Sequence, residues 1–110
     1  MVNEVQVEVH TRGDAIRIAL IGEIDLSNAS EVESAVVSAI SNHTTEVDLD
    51  LSAVGYLDSA GLRVVYSLAV RLHRAQIGFR ITTPLDSPAR RAIEVSGMTT
   101  IAALEPAPTD

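Results

Sequence analysis

Apolar and polar side chains alternate along four stretches of the chain, and apolar ones recur at three- and four-residue steps along three others. Val5, Val7 and Val9 alternate with Gln6, Glu8 and His10, the period of a strand with one covered face. Ile16, Ile18 and Leu20 repeat the pattern after Thr11-Arg12-Gly13-Asp14, a turn in which Gly13 can take positive φ. So short a connection predicts an antiparallel hairpin. Ala19 and Ile21 make the second strand apolar on both faces near its end, which predicts an interior place in the sheet. Gly22-Glu23-Ile24-Asp25 is expected to break that strand, and Ser27 or Asn28 to cap a helix. Asn28 to Glu31 and Ser30 to Glu33 both resemble capping boxes, so the start is open by a turn. Ala29, Val32, Val36, Ala39 and Ile40 form the apolar stripe of this helix, and Ser41-Asn42-His43 ends it.

Val47, Leu49 and Leu51 alternate with Asp48 and Asp50 in a third strand, and Ser52 to Tyr56 reads as a turn. Asp58-Ser59-Ala60-Gly61 then stands at the mouth of a second helix. Its stripe is Leu62, Val65, Tyr66, Ala69 and Leu72, with Arg71, His73 and Arg74 in the last turn, where cations suit the helix dipole. Ile77, Phe79 and Ile81 mark another strand, with Gly78 a weak or closely packed point. Ser87-Pro88 is a strong helix start, Ala89, Ala92 and Ile93 face inward, and Gly97 suits a left-handed end. A short strand over Ile101 to Leu104 closes the domain, and Glu105 to Asp110 is expected to be a disordered tail.

The order is β-β-α-β-α-β-α-β. Strands separated by helices pair in parallel through right-handed crossovers, with the opening hairpin as an antiparallel edge. The expected fold is thus a single α/β domain over residues 1–104, a mixed, mostly parallel sheet of about five strands with helices packed on it.

Composition narrows the function. With 110 residues and 46 % apolar content, the chain can fill a core from Val, Ile, Leu and Ala. Three aromatic residues (Tyr56, Tyr66, Phe79) and a net charge of −7 argue against binding nucleic acid, which asks for stacking platforms and basic patches. There is no cysteine, hence no disulfide, thiolate metal site or cysteine nucleophile. Met1 to His10 lacks the basic and apolar regions of a secretory signal, and no apolar run approaches the ~20 residues of a membrane span. A cytoplasmic location is the default expectation.

Candidate chemistry is sparse. His10, His43 and His73 show no metal-ligand spacing, and no metal or cofactor is expected. Asp48 and Asp50 share a strand face, but alternation alone produces such pairs. Gly55 and Gly61 match no phosphate-binding loop. Ser59 lies in no nucleophile elbow and has no well-placed base, so catalysis is not expected. The plain role for Ser59 is to cap the second helix through its hydroxyl. The sharper one is phosphorylation, which adds about −1.5 to −2 charges that a helix N-terminus can accommodate.

Three motifs then resemble a known family. Gly22-Glu23-Ile24-Asp25, the strand from Val47 to Leu51 with Asp58-Ser59-Ala60-Gly61-Leu62, and Ser87-Pro88 with Ser96-Gly97-Met98 stand in the order found in STAS domains, the sulphate-transporter and anti-sigma-antagonist family. The resemblance covers nearly the whole chain and is to the small stand-alone bacterial form. It implies an anti-sigma factor antagonist in which Ser59 is phosphorylated by the partner anti-sigma factor, an ATP-dependent serine kinase of the histidine-kinase-like ATPase type. The unphosphorylated form captures that partner and frees the sigma factor, and a serine phosphatase of the PP2C type restores it. The contact residues implied are Gly22, Glu23, Asp25, Ser27, Asp58, Ser59, Ala60, Gly61 and Leu62. Ala60 departs from the Ser or Thr of well-studied members, which removes a neighbouring hydroxyl and leaves Ser59. Other STAS domains are never phosphorylated and serve as regulatory or scaffold subunits of transporters or stress-signalling assemblies.

Overall fold

In the computed structural model, which describes residues 4–97 and 103–106, β1 (Gln6–Arg12), β2 (Ala15–Ile24), α1 (Ala29–Ala39), β3 (Glu46–Leu57), α2 (Ser59–Arg74), β4 (Gly78–Thr83), α3 (Pro88–Ser96) and β5 (Ala103–Pro106) follow one another. The five strands lie in the order β1-β2-β3-β4-β5. β1 runs antiparallel to β2, and every other neighbour is parallel. Gly13 makes the hairpin turn at φ +63°, where a Cβ would be strained. A sheet that grows strand by strand through right-handed crossovers carries its helices on one face. On that face Ile16, Ile18 and Leu20 of β2, Val47, Leu49 and Leu51 of β3 and Ile81 of β4 are buried. They meet Val32 and Val36 of α1, Val65, Leu68 and Leu72 of α2 and Ile93 of α3, an all-aliphatic core.

Three local expectations shift. β3 does not turn at Ser52 to Tyr56 but continues to Leu57, and β2 runs through Gly22 to Ile24. The two ends sustain each other by parallel pairing, Ile21 with Ala53, Gly22 with Val54 and Ile24 with Leu57, across two irregularities in register. Burial of Val54, Leu57 and Ile24 outweighs the local turn preference of the sequence. The buried face of α2 is Gly61, Val64, Val65, Leu68, Ala69 and Leu72, so Tyr66 turns half out into solvent. β5 takes in Glu105 and Pro106, two residues into the expected tail, whereas Ile101 and residues 107–110 lie outside the described residues. The start and end of α3 match expectation: the Ser87 hydroxyl accepts from the Arg90 amide at 3.1 Å, and Gly97 ends the helix at φ +78°.

The opposite sheet face is charged, and its centre is tied together. One Arg17 guanidinium nitrogen donates to Asp50 and the other lies 3.9 Å from Asp48, whose second oxygen accepts from the Thr82 hydroxyl at 2.9 Å. Burial pushes the Asp50 pKa up, but hydrogen bonds from Ser52 and Arg17 outweigh it and hold the carboxyl below its ordinary value. The hydrogen bond to Asp50 in turn raises Arg17. A carboxylate whose folded pKa is depressed stabilises the fold above its unfolded pKa of about 3.9, and that contribution disappears as pH falls through the folded value. Asp50→Asn is therefore expected to lower the thermal midpoint at neutral pH and to flatten its decline below about pH 4. Melts of both proteins across that range, followed by circular dichroism, check this. Because Arg17 is partly exposed, the difference should stay within about 1 kcal/mol.

Candidate functional site

The polypeptide leaves β3 at Leu57 and enters α2 within one residue, and Asp58 makes the junction. Its backbone is extended (φ −88°, ψ −172°), and one carboxylate oxygen accepts from the amides of Ala60 at 2.9 Å and Gly61 at 3.0 Å. Asp58 is thus the N-cap, satisfying two of the amide donors that a helix start leaves open. This corrects the expectation that Ser59 caps: Ser59 is the first residue of α2, exposed, and its hydroxyl makes no hydrogen bond among the described residues. The physical reason is length. A carboxylate one residue earlier reaches the second and third helical amides, which takes the donors the serine hydroxyl was expected to serve. Asp58→Ala should cost about 1 kcal/mol of stability, and Asp58→Asn should recover most of it, as denaturant titration would show.

Gly61 seats this first turn on the sheet. A Cβ there would lie 2.6 Å from Leu57 Cδ1, 3.0 Å from the Ile24 carbonyl oxygen and 3.1 Å from Ile24 Cγ2. Ile24 is also bonded to the cap, because its carbonyl accepts from the Asp58 amide at 3.2 Å. The end of β2 and the start of α2 are thereby one unit.

Through that unit the loop after β2 comes to the same end of the sheet as Ser59. Gly22 stands at φ +133°, and a Cβ there would meet the Glu4 carbonyl at 3.0 Å, so only glycine suits the position. The Asp25 carboxylate accepts from the amide and the hydroxyl of Ser27. Asn28 closes the loop: its Oδ1 accepts from the Asp25 amide at 3.0 Å, and its Nδ2 donates to the Glu23 carbonyl at 2.8 Å. At 2 % exposure Asn28 is an internal strut. Its side chain makes no capping bond to α1, although Asn28 occupies the N-cap position. The sequence pattern marked Asn28 only as a possible cap.

Of the expected contact residues, Gly22, Glu23, Asp25 and Ser27 come from one segment and Asp58 to Leu62 from the other. The structure brings both to the end of the sheet where β2 and β3 finish. Glu23, Ser27 and Ser59 are exposed there, Asp25, Asp58, Ala60 and Leu62 are half-buried, and Gly61 is buried. Apolar side chains surround them. Leu26 is 83 % exposed and Tyr56 50 %, and a cleft of about 620 Å³ between Ser59 and α3 is lined by Leu57, Leu62, Ala92 and Val95. Asp48 and Asp50 belong to the other face. Among the described residues no cluster of His, Asp or Glu could hold a metal ion, and no helix is long and apolar enough to cross a membrane.

The comparisons agree with this geometry. The family model described as "Mlab, STAS domain" matches residues 7–105, and the chain belongs to the STAS domain family. BtrV of Bordetella bronchiseptica, provisionally named an anti-sigma factor antagonist, is 33 % identical over 89 residues, 80 % of this chain and 76 % of that protein. The anti-sigma-F factor antagonist RsfB of Mycobacterium tuberculosis is 27 % identical over 96 residues, 87 % of this chain and 77 % of its own length. Among solved structures, an anti-sigma factor antagonist from Mycobacterium paratuberculosis superposes with a TM-score of 0.82 at 25 % identity, covering 96 % of this chain and 87 % of that one. The unphosphorylated form of the anti-sigma factor antagonist SpoIIAA shares the fold, with a TM-score of 0.71 at 19 % identity over 92 % of this chain and 87 % of that one.

Proposed function

We propose that this protein is an anti-sigma factor antagonist switched at Ser59. The observation that carries the proposal is the exposed, unbonded Ser59 hydroxyl at the head of α2, capped by its neighbour and set at the same end of the sheet as the end of β2 and the loop that follows it. A serine committed to capping is held by its own helix. This one is available to another enzyme. No base is hydrogen-bonded to it, so it is a substrate and the catalyst belongs to the partner. The relatives named as anti-sigma factor antagonists support the same reading, as does a fold neighbour known in phosphorylated and unphosphorylated forms.

The unphosphorylated protein binds an anti-sigma factor with serine kinase activity through Glu23, Asp25, Ser27, Leu62 and the apolar side chains around Ser59, and so frees the sigma factor. Phosphate on Ser59 ends the complex, and a PP2C-type phosphatase resets it, all in the cytoplasm. The chain itself carries no catalytic role. The test is mass spectrometry of Ser59 after incubation with ATP and the kinase captured from the native host. Phosphate is expected on Ser59 and absent from Ser59→Ala. Absence of phosphate in the wild type under every growth condition would favour an unphosphorylated scaffold subunit instead.

A further inference from the structure

The sheet face without helices holds a second concave surface, far from Ser59. It lies where β2, β3 and β4 begin, whereas Ser59 follows the end of β3. Strand register aligns His10, Arg17, Asp48 and Arg80 in one row across β1 to β4, and Arg12, Ala15, Glu46 and Gly78 in the next. Ala15 and Gly78 are too small to cover the backbone beneath them. The result is a cleft of about 560 Å³, bordered by Arg12, Arg17, Arg80 and Glu46, a size suited to a small molecule.

Its charge is unusual for this chain. Three of the eight basic residues line the cleft against two carboxylates, Glu46 and Asp48, on a protein of net charge −7. Arg17 is already committed to Asp50 and Asp48, which fixes the middle of the row. Arg12 and Arg80 are exposed, and neither forms an ion pair with any described residue. Arg12 on β1 and Arg80 on β4 stand three strand spacings of ~4.8 Å apart, on either side of the hollow. A planar guanidinium fork fits phosphate and carboxylate oxygens, and lysine, which matches them less well, is absent from the sequence.

We infer that this cleft binds a small organic anion, a phosphate or carboxylate group held by Arg12 and Arg80 with its body lying over Ala15 and Gly78. The site is independent of the switch at Ser59. The test is an amide-shift titration by NMR of the whole protein with phenyl phosphate, benzoate and uncharged benzamide. Phenyl phosphate or benzoate should shift the amides of Arg12, Arg17 and Arg80 in a saturable way, and the anion that saturates identifies the group. Benzamide should leave them unmoved. Arg12→Ala and Arg80→Ala should each weaken the apparent Kd about tenfold, the loss expected for one charge-assisted hydrogen bond, without lowering the thermal midpoint. The inference is overturned if benzamide moves the same amides equally, if no anion moves them, or if the double variant binds as the wild type does.

Discussion

If Ser59 is the switch proposed above, Ser59→Asp is expected to weaken the complex with the proposed anti-sigma factor kinase at least tenfold, while Ser59→Ala keeps full affinity and resists release by ATP. In the proposed complex a carboxylate or phosphate at residue 59 would be buried beside Asp58, a group of the same sign, in a cleft also bordered by Asp86 and Arg91. An unpaired charge in a desolvated interface can cost several kcal/mol, and ~1.4 kcal/mol is already tenfold in affinity. The fold itself should tolerate the change, because residue 59 is exposed and a negative group at a helix N-terminus is favourable there. Titration calorimetry of the two variants, with matched thermal midpoints as the control, separates loss of docking from loss of folding. Equal affinity of wild type and Ser59→Asp would remove charge repulsion as the release mechanism.

The largest loss of stability is expected at Gly61. Gly61→Val places branched carbon where even a Cβ comes within 3.0 Å of a backbone oxygen, that of Ile24. Overpacking of this kind costs about 3 kcal/mol. For a domain of this size each kcal/mol moves the midpoint by about 4–8 °C, so a fall of more than about 10 °C should appear in a thermal melt. Gly61→Ala should fall between, because the gain in helix propensity of about 1 kcal/mol opposes the clash. Gly55→Val is the control, since a Cβ at Gly55 meets nothing within 4 Å. The same substitution at Gly61 should lift the first turn of α2 off β2, so the phosphorylation proposed at Ser59 should slow even below the melting temperature.

Alternation and helical spacing located most of the elements because β2 and β3 each have one buried face and each helix one buried stripe. The hairpin turn at Gly13 and the start and end of α3 were legible for a different reason, namely that their chemistry is complete within four or five residues. The misread stretches are those whose energetics depend on a distant strand. Ser52 to Tyr56 looks like a turn until Val54 and Leu57 are buried against β2. Tyr66 fits an apolar stripe until Gly61 sets the rotation of α2 by its contact with Ile24. The Arg17–Asp48–Asp50 cluster joins residues more than thirty positions apart, and no local rule could have predicted it.

Ser59 divides along the same line. A helix starting at Asp58-Ser59-Ala60-Gly61 follows from nearest-neighbour chemistry, and the family resemblance follows from three motifs in order. Parallel pairing of Gly22 with Val54 and Ile24 with Leu57 is what carries the acidic loop to the serine. The Asp58 carboxylate, by taking both amides of the first turn, is what leaves the Ser59 hydroxyl unengaged. The first is a long-range outcome settled by burial, and the linear pattern of residues does not contain it; the second is a local competition between two adjacent capping residues, settled by which oxygen reaches the amides.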